Sequence, residues 1–521
     1  MLKTLANSTF KIKFLIFISL ILMSACSGQK NHKTSTLAQP STITASLTKS
    51  SRSIRENYAC FNVNSLLVKS WSNPDFVQAV NQVNPKLLRI PGGTESNYWD
   101  WQKGGLISNV REVMAGYPIN FRSQDLKYNA SKLEDIQKAI QATNTVPIFV
   151  LNLATSNLQS QLEMLRTAKA LGMPIKYIEL GNEFYINVPN YRRVFPTSTD
   201  YAKTASKWAE AIKKEFPSAQ ISLVGVVPKS QDSMRRKNWH RSLLYSAMHQ
   251  ADAVTIHIYN GHGLKSSIDS NSTYPFFTDE EVPIILGQPF RNWQNLQNNK
   301  QLKLIPHNKQ IWLTEYNLFE NIFGNNEGKT QRVMGSWTHG LYTLTMGLLF
   351  LEDSRVTIAC NHVLIGNSRF AAIFRGTGSF VNPSDPNMKV TPLNLTATGS
   401  TLSLLGEVTS DMTEAQKIQF ALSPTLVGKN NLKYPALYGW KFSNHEYSQG
   451  IILNLSSRNI NINIEQLFSG SVSYKQLTEN PRTLVTGSDS LKHYTGTIVS
   501  EITLPPYSVT KLTEMESSLF K

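Results

Sequence analysis

The sequence lacks the signatures of several common enzyme classes. His445-Glu446 begins like the helix of a zinc protease, but Gln449 stands where the second histidine ligand would be. Residues 366–370 begin like the nucleophile elbow of a serine hydrolase and lack its closing glycine. No glycine-rich phosphate turn follows the first apolar strand, and no repeat of solenoid length is present. These absences argue against a zinc protease, an elbow hydrolase and a dinucleotide-binding open sheet.

Charged side chains are also scarce, at 17% of 521 residues, whereas hydrophobic residues make up 41%. A chain of this composition can bury a large core, which excludes global disorder. Lys and Arg exceed Asp and Glu by 52 − 36 = 16. No long run of Lys or Arg marks a nucleic-acid patch, so we expect no nucleic-acid partner. The excess positive charge either attracts an acidic glycan or serves solubility, and both interpretations remain open.

The N-terminus has the pattern of a bacterial lipoprotein signal. Lysines at positions 3, 11 and 13 precede the apolar run Phe14–Met23, which is short for a membrane span, and Ser24-Ala25-Cys26 follows. This ending resembles a lipobox, so we expect residues 1–25 to be removed and Cys26 to be lipidated. Ser27 after the cysteine favours the outer membrane of the cell envelope, with the periplasmic or the outer face left open. The alternatives are a plain secretory signal and an uncleaved anchor.

Composition divides the rest of the chain into three parts. Residues 26–52 are rich in Ser, Thr, Lys and Gln and are predicted to form a flexible tether behind the lipidated cysteine. From residue 53 to 378, short apolar runs alternate with helical patterns. From 379 to 521, short alternating segments such as Gly450–Leu455 are separated by Asn, Gly, Ser and Pro. This last pattern predicts an antiparallel β-sandwich domain.

The middle part contains eight candidate strands, most of them continuous apolar runs of the kind found in buried parallel sheets. They are Tyr58–Val63, Leu87–Ile90, Pro147–Leu153, Ile175–Leu180, Ile221–Val227, Ala253–Tyr259, Gln310–Thr314 and Val356–Ala359. Helical patterns are predicted for Asn73–Val83, Ser131–Ala142, Leu158–Leu171, Asp200–Phe216 and Arg332–Leu351. Eight such units over about 300 residues predict an α/β fold, a (β/α)8 TIM barrel.

Two glutamates end predicted strands of this barrel. The fourth strand runs into Gly181-Asn182-Glu183, and the seventh ends at Thr314-Glu315. Because the carboxyl ends of barrel strands meet at one mouth, both carboxylates would point into the same site. Glycoside hydrolysis needs such a pair, one acid and one ionised carboxylate. Other Asn-Glu and Thr-Glu pairs occur outside strands, so the position of these two carries the prediction.

The two strand ends resemble glycoside hydrolase clan A, the retaining (β/α)8 glycosidases. The sixth strand ends His257-Ile258-Tyr259, similar to the His-x-Tyr of the clan. The second strand ends Arg89-Ile90-Pro91-Gly92-Gly93, similar to a motif of its α-L-arabinofuranosidase-like and heparanase-like members. The final segment, residues 505–510, resembles the last strand of their sandwich domain.

The resemblance implies a role for each matching residue. Glu183 would be the acid/base and Glu315 the nucleophile, with no metal or cofactor required. Asn182 would bind the sugar hydroxyl beside the reacting carbon. Arg89 would keep Glu315 ionised, Tyr259 would donate to it, and His257 would line the floor of the site.

Side chains of the predicted mouth are further candidates for substrate binding. Trp99, Asp100 and Trp101 follow the Arg89 motif, and Asn152 follows the third strand; the alternative is that they pack the loop. Many clan members have a tryptophan after strand eight, where this chain has Cys360-Asn361-His362. Cys60 and Cys360 fall on the first and eighth strands, which are neighbours in a closed barrel. A disulfide and two free thiols both remain open.

The sequence therefore predicts a retaining glycosidase that acts on a carbohydrate substrate, with its carboxyl groups about 5–5.5 Å apart. One rival is a glycan-binding surface lipoprotein without turnover. The other is a heparanase-like β-glucuronidase that acts on a glycan containing uronic acid. The sugar, the linkage and the oligomeric state cannot be read from the sequence.

Overall fold

The computed structural model describes residues 42–54, 58–68, 71–114, 132–228, 232–264, 275–320, 332–366, 368–374 and 393–515. Cys26, the predicted signal peptide and the predicted tether up to residue 41 lie outside these ranges. Among the described residues, no helix combines the length and the apolar character that a membrane span needs.

Strands recur along the described chain as far as Leu395, and eight of them form the barrel. In chain order these strands are β1 (Ile43–Ser53), β2 (Ala59–Asn62), β3 (Leu87–Ile90), β4 (Trp99–Asp100), β5 (Gly105–Leu106), β6 (Val146–Val150), β7 (Tyr177–Glu179), β8 (Gln220–Val224), β9 (Ala253–Asn260), β10 (Gln310–Leu318), β11 (Val356–His362), β12 (Ile365–Gly366), β13 (Ile373–Phe374) and β14 (Asn394–Leu395).

Eight parallel strands close into a barrel in the order β10-β11-β2-β3-β6-β7-β8-β9. Each of the eight predicted strands overlaps one of these, so the predicted TIM barrel is confirmed. The last strand, β11, continues to His362, three residues beyond its predicted end. This extension brings His362 level with Asn62 of β2, at the carboxyl end of the barrel.

The helices lie between and around these strands. They are α1 (Pro74–Val83), α2 (Val110–Val113), α3 (Leu133–Thr143), α4 (Leu158–Ala170), α5 (Pro189–Val194), α6 (Ser198–Glu215), α7 (Met234–Ala247), α8 (Val282–Gln297), α9 (Trp337–Phe350) and α10 (Ala397–Thr409). Local sequence fixes several ends. Asn73 caps α1 ahead of Pro74, and Thr197 with Asp200 forms a capping box on α6.

One predicted helix begins later than expected. The pattern predicted a start at Arg332, whereas α9 begins at Trp337. The backbone N–H groups of residues 332–334 donate to the buried carboxylate of Glu320, so this segment is held as a loop. Ser336 then caps the helix by accepting a hydrogen bond from the backbone N–H of His339.

The boundary between the two folded parts also differs from the prediction at residue 378. Helix α10 packs against α1 and α9 and therefore completes the barrel, which extends to Thr409. Nearly every residue of α10 is buried. Such a helix has no polar face, and its Thr, Gly and Ser residues are poor helix formers, so no periodic pattern marks it in the sequence.

The C-terminal part is a β-sheet domain with antiparallel strands, as predicted. Its strands are β15 (Glu414–Phe420), β16 (Thr425–Val427), β17 (Lys433–Pro435), β18 (Leu437–Ser443), β19 (Ser448–Asn454), β20 (Ile460–Asn463), β21 (Val472–Thr478), β22 (Lys492–Ile498), β23 (Glu501–Leu504) and β24 (Ser508–Glu514). Along β19, Ile451 belongs to the core shared with the barrel and Ile452 to a separate core. Ile462 and Leu504, from β20 and β23, close this second core.

Strand β1 corrects the prediction of a tether up to residue 52. Residues Ile43–Ser53 pair antiparallel with β15 and, at their start, parallel with β20. The segment before the barrel is therefore part of the sheet domain. Its polar Ser, Thr and Lys residues suit a sheet with one face open to solvent, and the pattern alone does not distinguish this from a tether.

Cys60 and Cys360 form a disulfide that links the first and last strands of the barrel. Their Cα atoms are 4.0 Å apart, and the two residues are register partners on β2 and β11. The bridge lies two residues below Asn62 and His362 on the same strands. It therefore joins the strands just beneath the mouth of the barrel.

Candidate active site

Arg89, at the end of β3, is fully buried and connects most of the polar side chains at the barrel mouth. Its hydrogen bonds run from Nε to Glu179 (2.7 Å), from Nη1 to Asn62 (2.8 Å) and Glu315 (2.8 Å), and from Nη2 to Glu179 (3.1 Å) and Asn182 (2.8 Å). Burial alone lowers the pKa of Arg89, but Glu179 and Glu315 outweigh it and raise the pKa above its usual value. The positive charge of Arg89 is thus balanced inside the barrel by the carboxylates of Glu179 and Glu315.

Glu315 lies in strongly cationic surroundings on β10. Arg89 donates to its Oε1 at 2.8 Å, and the Tyr259 hydroxyl donates to its Oε2 at 2.6 Å. His257 and His362 each place Nδ1 within 4 Å of Oε2, at 3.5 and 3.9 Å. Burial raises the pKa of Glu315, but the two histidines, Arg89 and the Tyr259 hydrogen bond together lower it to about 2. This carboxylate is therefore ionised at neutral pH.

Glu183 occupies a tight turn after β7 and has neutral or weakly basic partners. Gly181 has a φ of +91°, and a Cβ there would lie 2.2 Å from the Phe184 ring, so glycine is required. Glu183 itself has a φ of +50°, an uncommon conformation for a residue with a side chain. Tyr185 donates to its Oε1 at 2.6 Å, and the Nδ1 of His257 is 2.9 Å from the same oxygen.

His257 lies between the two carboxylates. Burial lowers its pKa, but Glu315 and Glu183 outweigh that effect and raise it above 6.5. One ligand atom each from Glu183, His257 and Glu315 lies within 4.8 Å of the others, so these three residues could also hold a metal ion. Both oxygens of Glu315 already accept hydrogen bonds from Arg89 and Tyr259. A divalent cation would compete with the guanidinium for that carboxylate.

Asn182 is held by hydrogen bonds on both its backbone and its side chain. Its backbone N–H donates to Asn97 Oδ1 at 3.1 Å, and its backbone oxygen accepts from Asn97 Nδ2 at 2.8 Å. Its side-chain oxygen accepts from Arg89. This contact orients the amide so that Nδ2 is the group left to donate to a ligand.

The structure brings together the two glutamates predicted from strand ends, Glu183 and Glu315, and the four residues that the resemblance added. These four are Arg89, Asn182, His257 and Tyr259. Sequence reasoning missed Glu179, Asn62, His362 and Glu95. Glu179 could have been found, because a carboxylate within an apolar strand needs a buried partner, and Arg89 is that partner. Glu95 is buried, and this raises its pKa to about 8. Its Oε1 accepts no hydrogen bond from the described residues.

The predicted loop residues have structural partners of their own. Asp100 accepts from the backbone N–H groups of residues 102 and 103 in the turn between β4 and β5. Trp101 donates to Ser160 on α4, and Trp99 is buried, with its backbone oxygen bonded to Asn152. A role of these side chains in binding substrate stays a prediction.

A cavity of about 490 Å³ opens at this end of the barrel. Glu183, His257 and Tyr259 line it on one side, and Asn292 and Trp293 of α8 line it on another. Its volume is within the range of pockets that hold a small ligand. Glu183 is thus accessible from a cavity large enough for a sugar.

Comparison with known sequences gives two α-L-arabinofuranosidases as similar proteins. No protein-family model matches the chain. It is 25% identical over 242 residues to α-L-arabinofuranosidase C of Emericella nidulans, which covers 42% of this chain and 46% of that protein. It is 21% identical over 313 residues to an intracellular exo-α-(1→5)-L-arabinofuranosidase of Acetivibrio thermocellus, which covers 56% of this chain and 60% of that protein. The chain thus spans about half the length of these relatives.

Solved structures share the whole fold. A family 51 α-L-arabinofuranosidase from Bifidobacterium longum superposes with a TM-score of 0.66 at 14% identity, over 91% of this chain and 99% of that one. A 4-O-α-L-rhamnosyl-β-D-glucuronidase from Fusarium oxysporum gives 0.55 at 14% identity, over 91% and 100%. The chain therefore has the two-domain fold of the clan A glycosidases. Over part of its length, its sequence is similar to α-L-arabinofuranosidases.

Proposed function

We propose that this protein is a retaining glycoside hydrolase that acts on α-L-arabinofuranosides. The observation that carries the proposal is the pair Glu183 and Glu315, with one oxygen of each within 4.8 Å of the other and with contrasting surroundings. Retaining enzymes hold their carboxyl groups about 5–5.5 Å apart, whereas inverting enzymes leave room for a water between them. The choice of an arabinofuranoside as substrate rests on the relatives, whereas the argument from the two glutamates does not depend on the sugar.

The chemistry proceeds in two displacements. Glu315 attacks the anomeric carbon while the carboxylic acid of Glu183 gives its proton to the leaving oxygen, and the glycosidic bond breaks. The Glu183 carboxylate then takes a proton from water, whose oxygen attacks the same carbon and releases Glu315. Asn182 donates to the hydroxyl next to the reacting carbon. Arg89 and Tyr259 keep the nucleophile ionised for the first step.

The test is hydrolysis of chromogenic glycosides by the full-length chain in mild detergent, with Glu315→Gln and Glu183→Gln as matched variants. We expect the wild type to hydrolyse aryl α-L-arabinofuranosides. In both variants this activity should fall at least about a thousandfold. Mass spectrometry of quenched Glu183→Gln should show a covalent adduct of one sugar on Glu315. An inverted anomer as the first product, or full activity of Glu315→Gln, would refute the mechanism.

A second candidate substrate is a glycoside of a uronic acid. The likeness in fold to the rhamnosyl-glucuronidase and the net charge of +16 favour it. Aryl β-D-glucuronosides in the same screen separate the two candidates. If neither class is cleaved but a polysaccharide binds, the protein is instead a glycan-binding lipoprotein that kept the fold.

The cellular location is also a proposal, since it rests on the N-terminal sequence alone. We expect cleavage before Cys26 and lipidation of its thiol. Labelling of cells with a radioactive fatty acid should mark the wild type and leave Cys26→Ser unlabelled. Equal labelling of the two chains would exclude this cysteine as the anchor.

A further inference from the structure

A second arginine lies on the acid/base side of the site. Arg236, in the first turn of α7, places its guanidinium 4.8 Å from the centre of the Tyr185 ring. The hydroxyl of that ring donates to Glu183 at 2.6 Å. A cation over an aromatic face is held in a defined position while its edge stays open to other partners. Arg236 thus packs against Tyr185, the residue that donates a hydrogen bond to Glu183.

The contacts of Arg236 leave much of its guanidinium available. Asp232 approaches its Nε at 3.2 Å, and the side chain is 31% exposed. Within the described part of the chain, no hydrogen bond occupies its two terminal nitrogens. Neighbouring Arg235 differs, because all three of its side-chain nitrogens donate to backbone oxygens, among them that of Phe184 at 2.7 Å. Arg235 fixes the start of α7, and Arg236 extends into the cavity.

Arg236 is the one Lys or Arg side chain among the described residues that line the 490 Å³ cavity. The opposite wall offers neutral amides, from Asn292, Asn295 and Asn299. Amides bind sugar hydroxyls, and a guanidinium binds carboxylate or sulfate through two parallel hydrogen bonds. The cavity therefore combines general affinity for sugars with one position that selects an anion.

We propose that Arg236 forms a subsite for a leaving-group sugar that bears an anionic group, either the carboxylate of a uronic acid or a sulfate ester. The assignment to the leaving-group side rests on the proposed function, because Glu183 protonates the leaving oxygen and Arg236 lies beside Glu183. The substrate is then a glycoside in which the reacting sugar is attached to an acidic residue. This differs from a glucuronidase, whose acidic sugar occupies the reacting position itself.

The first test is binding, which does not depend on turnover. Calorimetry of the full-length chain compares methyl β-D-glucuronoside with methyl β-D-glucoside, and methyl β-D-glucoside 6-sulfate separates the two sources of anion. The matched variants are Arg236→Gln and Arg241→Gln, since Arg241 is exposed on the same helix outside the cavity. We expect the wild type and Arg241→Gln to prefer an anionic ligand by at least about tenfold, and Arg236→Gln to lose this preference.

The second test is turnover of two aryl α-L-arabinofuranosides, with 3-carboxyphenyl and 3-carbamoylphenyl leaving groups. Arg236→Gln should lower the ratio of kcat/KM for the carboxylated substrate to kcat/KM for the neutral one about tenfold, and Arg236→Lys should restore part of this ratio. Equal loss on both substrates, or no anion preference in binding, would overturn the subsite. Anion binding through Arg236 without hydrolysis of any glycoside would instead refute the proposed function alone.

Discussion

The two glutamates of the site each accept a hydrogen bond from a tyrosine and lie near His257, but they differ in exposure and in contact with an arginine. Glu315 is 7% exposed and bonded to a buried guanidinium, whereas Glu183 is 18% exposed and bonded to a tyrosine and a histidine. A nucleophile must stay ionised throughout the reaction, and an acid/base must gain and lose a proton. The comparison indicates that Arg89 and its partners hold Glu315 as a fixed charge, whereas Glu183 is the more exposed of the two carboxylates.

The strongest way to break this contrast is Arg89→Gln. This change leaves Glu179 and Glu315 as buried carboxylates without their cation. We expect the free energy of unfolding to fall by about 3–5 kcal/mol. The kcat/KM of the folded fraction should fall by about a hundredfold or more. Urea unfolding and initial rates measure the two effects.

The control for Arg89→Gln is Arg166→Gln, which breaks an exposed pair with Glu215. This pair should contribute little to stability, because both side chains are exposed and water screens their charges. If the two variants unfold at the same urea concentration, Arg89 does not hold the charge balance of the site.

Tyr259→Phe tests the nucleophile alone. The change removes the 2.6 Å hydrogen bond to Glu315 and keeps the ring. Because hydrogen bonds to charged groups contribute about 1.5–3 kcal/mol, kcat/KM should fall about tenfold to a hundredfold. The pKa of Glu315 should rise, so the acid limb of the kcat/KM profile moves upward in pH. A uniform loss at all pH values would mean that Tyr259 only packs the site.

The sequence was most informative where buried strands end in polar residues. Asn182-Glu183 and Glu315 follow apolar runs, and barrel geometry is sufficient to predict that such ends meet. Tyr259 and His257 alternate with apolar residues on β9, and both were identified from the resemblance. Tyr259 contacts Glu315, and His257 lies between Glu183 and Glu315.

The sequence was least informative where a role depends on a partner from elsewhere. Glu179 and Asn62 matter because Arg89, distant in sequence, reaches both. Helix α10 has no amphipathic pattern, because the barrel buries it on one side and the sheet domain on the other. Strand β1 pairs with residues almost 400 positions away, and no local signal records such a pairing.

Two carboxylates of the site should have opposite effects on stability as pH changes. Glu315 has its pKa lowered to about 2 from 4.5, so its contribution is present above pH 4.5 and is lost as pH falls toward 2. Glu95 has its pKa raised to about 8 by burial, so its contribution is present below pH 4.5 and is lost as pH rises through 8. Each effect should be on the order of 3–5 kcal/mol.

The measurement for these carboxylates is urea unfolding between about pH 3 and pH 9, with Glu95→Gln and Glu315→Gln beside the wild type. Relative to the wild type, Glu95→Gln should gain stability above neutral pH. The free energy of unfolding of Glu315→Gln should lie furthest below that of the wild type at neutral pH, and the difference should shrink in acid. Parallel curves for all three proteins would contradict both assignments.

Tyr185→Phe is the smallest change and the sharpest test of the contrast. It removes the 2.6 Å hydrogen bond to Glu183, just as Tyr259→Phe removes one from Glu315. Because Glu183 is more exposed, water can replace the lost hydroxyl, so kcat/KM should fall only about threefold to tenfold. Substrates with poor leaving groups should be affected most, since they depend on proton donation. If Tyr185→Phe lowers kcat/KM as much as Tyr259→Phe does, whatever the leaving group, the proposed division of roles between the two glutamates is wrong.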